Sequence, residues 1–162
     1  MGCNIVQALD AVAGIQSAIT CTFDDGKVVP VTHAYPYGDW TIASVNLPFF
    51  VNAVSGGPTN FQATPGLQAV DNVVHMYLCL WPTKQGRSRE TSLRYVLGWR
   101  DAVFAAFAAH IRLGAMPGYL DFVKVAHITH WDHGAYTLGG TEYWALHFEL
   151  ELDESFGLVV GA

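Results

Sequence analysis

The densest grouping of chemically capable side chains is His127-Ile128-Thr129-His130-Trp131-Asp132-His133, four potential metal ligands within seven residues. Imidazoles with a carboxylate suit a zinc- or iron-type ion. Further along the chain, His147 and a few acids are the remaining ligands. Other chemistries find less support. Ser44, Ser55, Ser92 and Ser155 lie outside any Gly-x-Ser-x-Gly turn that would activate a hydroxyl. Gly134 to Gly140 is not followed by Lys-Ser or Lys-Thr and leads into a strand, so it is no phosphate loop. Cys21 and Cys79 have apolar neighbours, where cysteine behaves as a small hydrophobe. His75 and His110 read as packed or surface residues, and Trp81, Trp99, Trp131 and Trp144 as core or interface anchors.

The spacing of His130, Asp132 and His133 resembles the latter part of the metallo-β-lactamase signature, H-x-H-x-D-H at the end of a strand. Ile128 occupies the first histidine position. His127 is displaced by one residue, which on a strand turns it to the opposite face. That family also carries its motif early in a much longer chain. The cluster is therefore expected to be polar residues at a hairpin tip. No metal, no cofactor and no catalytic residue is expected, and the chain is not expected to be an enzyme.

Composition narrows the partners. The formal net charge of −6 opposes general attraction to nucleic acid or anionic lipid. Lys84, Arg87, Arg89, Arg94 and Arg100 are five of the eight basic residues, whereas Glu142, Glu149, Glu151, Asp153 and Glu154 gather near the C-terminal end. Such separation suits head-to-tail contacts between copies, with Lys84, Arg87, Arg89, Glu149 and Glu151 as candidate interface residues. Hydrophobic residues make up 51% and charged residues 14%, against about 25% charged in an average soluble domain. Little polar surface remains to cover the fold, so oligomerisation is a natural expectation. Three cysteines without metal spacing indicate neither a disulfide framework nor a zinc ribbon and suit a reducing compartment. With no basic leader and no membrane-length apolar run, a soluble protein is expected.

The elements that must position these groups begin with an amphipathic helix from Asn4, in which Ile5, Leu9, Val12 and Ile19 share a face. Asp24-Asp25-Gly26 is a turn signal, followed by an edge strand at Val28 to Val31 that Pro30 blunts. Trp40 to Val45 and Leu47 to Val54 read as extended, and Ser55 to Gly66 as a long loop or flap rich in glycine and proline. Val73 to Trp81 is a strand ended by Pro82, and Thr83 to Arg89 a basic loop. A long helix runs from Glu90 to about Leu113, with Leu93, Val96, Leu97, Phe104, Phe107 and Ile111 on its apolar face and Gly114 as its left-handed cap. Tyr119 to Thr129 and Thr141 to Leu152 form a hairpin, and the turn-rich Trp131-Asp132-His133-Gly134 and Leu138-Gly139-Gly140 between them give it an elaborated tip. In its second strand Trp144, Leu146, Phe148, Leu150 and Leu152 face the core, and Tyr143, Ala145, His147, Glu149 and Glu151 face away. Residues 1–162 are thus expected to form one α+β domain, a mainly antiparallel sheet with two helices packed on one face.

This order of elements resembles the tail terminator (tail-completion) proteins of long-tailed bacteriophages. The likeness is carried by the N-terminal helix, the Leu47-Pro48-Phe49-Phe50-Val51 segment, the strand Val73 to Trp81, the loop Pro82 to Arg89, the helix Glu90 to Leu113 and the hairpin Tyr119 to Leu152. It implies a non-enzymatic virion protein of the tail-neck region, assembled in the host cytoplasm. Its copies form a homo-hexameric ring that caps the tail tube and meets the tail tube protein and the head-tail connector protein. Neither a membrane nor sequence-specific nucleic acid binding is implied. Two other classes share the layout. A ferredoxin-like ligand-binding or regulatory module is favoured by a pocket lined by Trp131, His133 and Tyr136. A small metal-dependent hydrolase requires His130, Asp132 and His133 to converge with another ligand.

Overall fold

A computed structural model of the chain describes residues 4–37, 47–61, 67–84, 89–111, 113 and 123–157. The fold is α+β. In chain order the elements are α1 (Asn4–Ser17), β1 (Thr20–Thr22), β2 (Val28–Pro30), β3 (His33–Tyr35), β4 (Phe49–Phe61), β5 (Leu67–Pro82), α2 (Arg89–Ala108), β6 (Val123–Leu138) and β7 (Thr141–Gly157). β3 to β7 form a five-stranded sheet of order β3-β4-β5-β7-β6, antiparallel except for the parallel β3–β4 pair, and β1–β2 is a separate antiparallel hairpin. No helix among the described residues is long and apolar enough to cross a membrane.

Both helices lie on one face of the sheet. Ala8, Leu9 and Val12 of α1 and Val96, Trp99, Val103 and Phe107 of α2 pack with Phe50, Val74, Met76, Leu78, Leu146, Phe148, Leu150 and Leu152. The even-numbered row of β7 from Leu146 to Leu152 is fully buried, as its alternation predicts. Trp144 departs from that row. It pairs with Trp81 and Ala135 near the hairpin end of the sheet and stays 39% exposed. A reciprocal amide pair pins α1 to the sheet: Gln16 Nε2 donates to Asn52 Oδ1 (2.7 Å) and Asn52 Nδ2 donates to Gln16 Oε1 (2.9 Å), both side chains fully buried. Each amide thereby satisfies the other where neither side chain reaches the surface.

Three expectations are corrected. First, Ser55 to Gly66 is not one long flap. Residues up to Phe61 continue β4, pairing as far as Phe61↔Gln68, and residues 62–66 lie outside the described residues. The ladder shifts between Gly56 and Thr59, so Gly57 and Pro58 fall in a bulge where the missing proline N–H breaks no pair. Second, α2 stops at Ala108, and its buried row is Val96, Trp99, Val103 and Phe107. Leu93 (49% exposed) and Phe104 (37%) lie on a neighbouring row, and Ile111 (56%) is exposed beyond the end of the helix. Both sets fit the helical period in the sequence, and the bulky Trp99 lies in the row that faces the sheet. Beyond the helix, Leu113 itself takes the left-handed conformation (φ 53°), the Ile111 carbonyl accepts from Ala126 N–H (2.7 Å), and Gly114 lies outside the described residues. Third, the hairpin tip is not elaborated. β6 runs on to Leu138 and turns through Gly139-Gly140 alone, both with positive φ (58° and 81°), which a two-residue hairpin turn requires. The expected strand at Trp40 to Val45 lies outside the described residues.

The β1–β2 hairpin closes against α2. Its turn has Gly26 at φ 80°, with Lys27 N–H donating to Asp25 Oδ1 (2.9 Å). The Phe23 ring stacks on Tyr95 at 5.0 Å, and a Cβ added at Gly98 would come within 3.0 Å of Phe23. Gly98 thus permits the close approach.

Candidate functional site

The face of the sheet opposite the helices carries two zones. Toward the β6–β7 turn, Phe49, Val51, Cys79, Tyr143 and Ala145 form a second buried apolar cluster with Tyr35, Leu47, Tyr136 and Leu138 against it. Burial pushes the Cys79 thiol from its ordinary 9.0 to about 12. Cys21 on the helix side is raised to about 11, by burial and by the nearby Asp101 carboxylate. A high pKa keeps a thiol protonated and inert.

Farther along the strands the same face turns polar. The register His75↔Glu149 and Tyr77↔His147 between β5 and β7, with Asp132↔His147 and His130↔Glu149 between β7 and β6, brings these side chains onto one surface. His75 Nδ1 lies 2.9 Å from His147 Nε2, and His75 Nε2 lies 2.9 Å from Ser55 Oγ. His147 Nδ1 is 3.5 Å from Asp132 Oδ1, which accepts a 2.6 Å hydrogen bond from the Tyr136 hydroxyl. Tyr77 stacks on the His147 ring (4.7 Å, 11°). Asp132 beside Nδ1 favours the His147 tautomer protonated there, leaving Nε2 to accept from His75 Nδ1–H. His75 Nε2 then accepts from the Ser55 hydroxyl. One consistent direction of donation runs from Ser55 to Asp132.

The electrostatics follow from position. Burial lowers the His75 pKa, and the His147 ring beside it acts in the same direction, against the pull of Glu149. Burial would raise Asp132, yet its bond from Tyr136 and the contacts with His147 and His130 hold the carboxyl below its ordinary 3.8. Tyr136 is pushed up by burial and by donating to Asp132, and Tyr77 by burial and by the Asp132 and Glu149 charges. Among the described residues, His75, His147 and Glu149 form a group of potential metal ligands, with one donor atom from each lying within 4.8 Å of the others.

The residues singled out in the sequence fare differently. His130 and Asp132 join this surface, with His130 Nε2 3.5 Å from Asp132 Oδ2. His133 does not. It pairs with Leu146, whose side chain belongs to the helix-side core, so the triad His130, Asp132 and His133 is divided by the sheet. Trp131 and His133 lie on the helix side and Tyr136 on the other, so these three do not line one pocket. Glu149 and Glu151 are half-buried on the polar face, opposite His75 and Val73. Lys84 is exposed in the turn after β5. Pro82, the last residue of β5, is seven residues from His75, about 23 Å along an extended chain. Lys84 therefore lies beyond one end of the strands, and the acidic pair sits near their middle. Arg87 and the Arg89 side chain lie outside what is described.

Sequence reasoning missed Ser55, His75 and Tyr77 as site residues. Only the alternation of His75 with Tyr77 and of His147 with Glu149 hints at a shared face, because their meeting depends on register. A cleft of about 850 Å³ between the β1–β2 hairpin and α2, lined in part by Phe23, Trp81, Arg94 and Tyr95, is a separate feature of the helix side. No family model matches the chain, and no curated protein matches it either.

Proposed function

We propose that this chain is a structural subunit of a long-tailed bacteriophage virion. Six copies form a ring that caps the tail tube and joins it to the head connector, after assembly in the host cytoplasm. The observation that carries this reading is the order of elements on which the resemblance rests: an amphipathic α1, strand β5, a connection, helix α2 and the closing hairpin β6–β7 on a single sheet. Two surface features support it. Leu93 and Phe104 on α2, with Ile111 just beyond it, leave exposed apolar side chains on a chain of only 14% charged residues. Lys84 and the Glu149–Glu151 pair are separated along the strands, as a head-to-tail ring contact needs. Native mass spectrometry and negative-stain microscopy of the purified chain, alone and with tail tube protein, are the test. Rings of six copies that seat on tube ends are the expected outcome. A monomer at every concentration that leaves tubes growing would overturn the reading.

A further inference from the structure

We propose that His75, His147 and Glu149 form a binding site for a divalent late first-row transition ion, with Zn²⁺ as the reference metal. This inference is independent of the virion reading. Two imidazoles with one carboxylate are a donor set for such ions, while Mg²⁺ and Ca²⁺ take oxygen ligands. One donor atom from each residue lies within 4.8 Å of the others. The facing nitrogens, His75 Nδ1 and His147 Nε2, are 2.9 Å apart, whereas two nitrogens on one tetrahedral ion sit roughly 3.3 Å apart at metal–nitrogen distances of about 2.0–2.1 Å. A separation of roughly half an ångström admits the ion, within reach of small side-chain rotations.

The stronger argument lies outside the three ligands. A metal-binding imidazole usually gives its other N–H to a carboxylate, carbonyl or water, which fixes its tautomer and aim. His147 has such a carboxylate, and a hydroxyl oxygen does the same for His75. His147 Nδ1 faces Asp132, itself held by the Tyr136 hydroxyl, and His75 Nε2 faces Ser55 Oγ. The Tyr77 ring stacked on His147 limits its rotation. On metal binding the His75 proton moves to Nε2 and is donated to Ser55 Oγ, freeing Nδ1. The ion takes the place of the proton between the rings. Both histidines come from central strands, so the frame is rigid before the ion arrives.

The full chain, first stripped with chelator, should be titrated with ZnCl2 at neutral pH by calorimetry, with MgCl2 as control and Co²⁺ absorption as a report on coordination. One Zn²⁺ per chain, no Mg²⁺ binding and a tetrahedral Co²⁺ spectrum are expected. His75→Gln and His147→Gln should lose the ion, and Glu149→Gln, which replaces a charged ligand oxygen by a neutral amide, should weaken it. Asp132→Asn should weaken it about 10–100-fold by misorienting His147. His133→Ala, on the helix side of the sheet, should leave binding unchanged. Absence of Zn²⁺ binding by the parent overturns the proposal. So does binding that survives in folded His75→Gln or His147→Gln, that is undiminished in folded Glu149→Gln, or that disappears in folded His133→Ala.

Discussion

His75 and His147, 72 residues apart in the chain, meet with Nδ1 2.9 Å from Nε2 and their rings stacked at 5.1 Å on the face of the sheet away from the helices. Ser55 lies beyond one ring and Asp132 beyond the other, so neither imidazole is left with a wasted nitrogen. Four strands contribute to this arrangement. Its geometry therefore reports directly on whether β4, β5, β7 and β6 are in register.

The Gln16–Asn52 pair should behave as one unit. Gln16→Leu alone strands a buried amide and should cost about 1–3 kcal/mol, as should Asn52→Leu. The double variant should recover much of the loss, because neither partner is then left unsatisfied. Urea unfolding of the parent, both single variants and the double variant measures the coupling. Additive losses would mean that the two amides do not depend on each other.

Phenylalanines three residues apart on α2 should differ sharply. Phe107→Ala empties a core site that is 2% exposed and should cost about 3–5 kcal/mol. Phe104 is 37% exposed and touches Phe148 edge-on at 6.0 Å, so its replacement should cost about 1–2 kcal/mol. Leu93→Ala should fall within about 0.5 kcal/mol of the parent. Chemical denaturation ranks the three, and a larger loss at Phe104 than at Phe107 would turn the helix over.

Alkaline stability should carry a thiol signature. Cys79 stays protonated in the folded chain up to about 12 but ionises near 9.0 when unfolded. Its raised folded pKa stabilises the fold below pH 9, and that contribution is lost as pH rises toward 12. Between about pH 9.5 and 11 the unfolding free energy of the parent should fall more steeply than that of Cys79→Ala, by about 1.4 kcal/mol per pH unit. The same protection predicts that Cys79 resists alkylation at pH 8 until the chain is unfolded, which mass spectrometry of the labelled site can follow.

Reversing Lys84, Arg87 and Arg89 to Glu should impair ring formation while leaving the melting temperature within about 4 °C of the parent. Exposed ion pairs are worth only about 0–1 kcal/mol each, but a ring repeats each contact in every subunit. Assembly of the parent should also weaken with salt. Identical assembly of parent and variant at low and high salt would shift attention to the exposed Leu93, Phe104 and Ile111 side chains.

The sheet and helices are legible wherever one periodicity is unopposed. Leu146, Phe148, Leu150 and Leu152 alternate with polar residues and face the helices, and Ala8, Leu9 and Val12 turn inward on α1. The buried row of α2 is less legible because Leu93, Phe104 and Ile111 also recur at whole helical turns, and only the packing of Trp99 decides between the rows. Gly57 and Pro58 read as loop because a bulge tolerates the same residues that a loop favours. The His75–His147 contact has no local signature. It arises from β5 pairing with β7 across the whole of α2, and no spacing along the chain encodes that register. The pattern His130-Trp131-Asp132-His133 drew attention to β6, yet the strand pleat sends its last histidine to the other side.

The central position of β7 has a consequence for the order of folding. β7 joins β6 through two glycines, so that hairpin is built from contacts close in sequence, whereas β5 must wait for β7 to arrive from beyond α2 and β6. Contacts of such long range are slow to form. During synthesis β5 leaves the ribosome with one hydrogen-bonding edge unpaired and Val74, Met76 and Leu78 still without Leu146, Phe148 and Leu150. Nascent chains lacking β7 should therefore self-associate through that open edge and depend on chaperones until the last strand slots in.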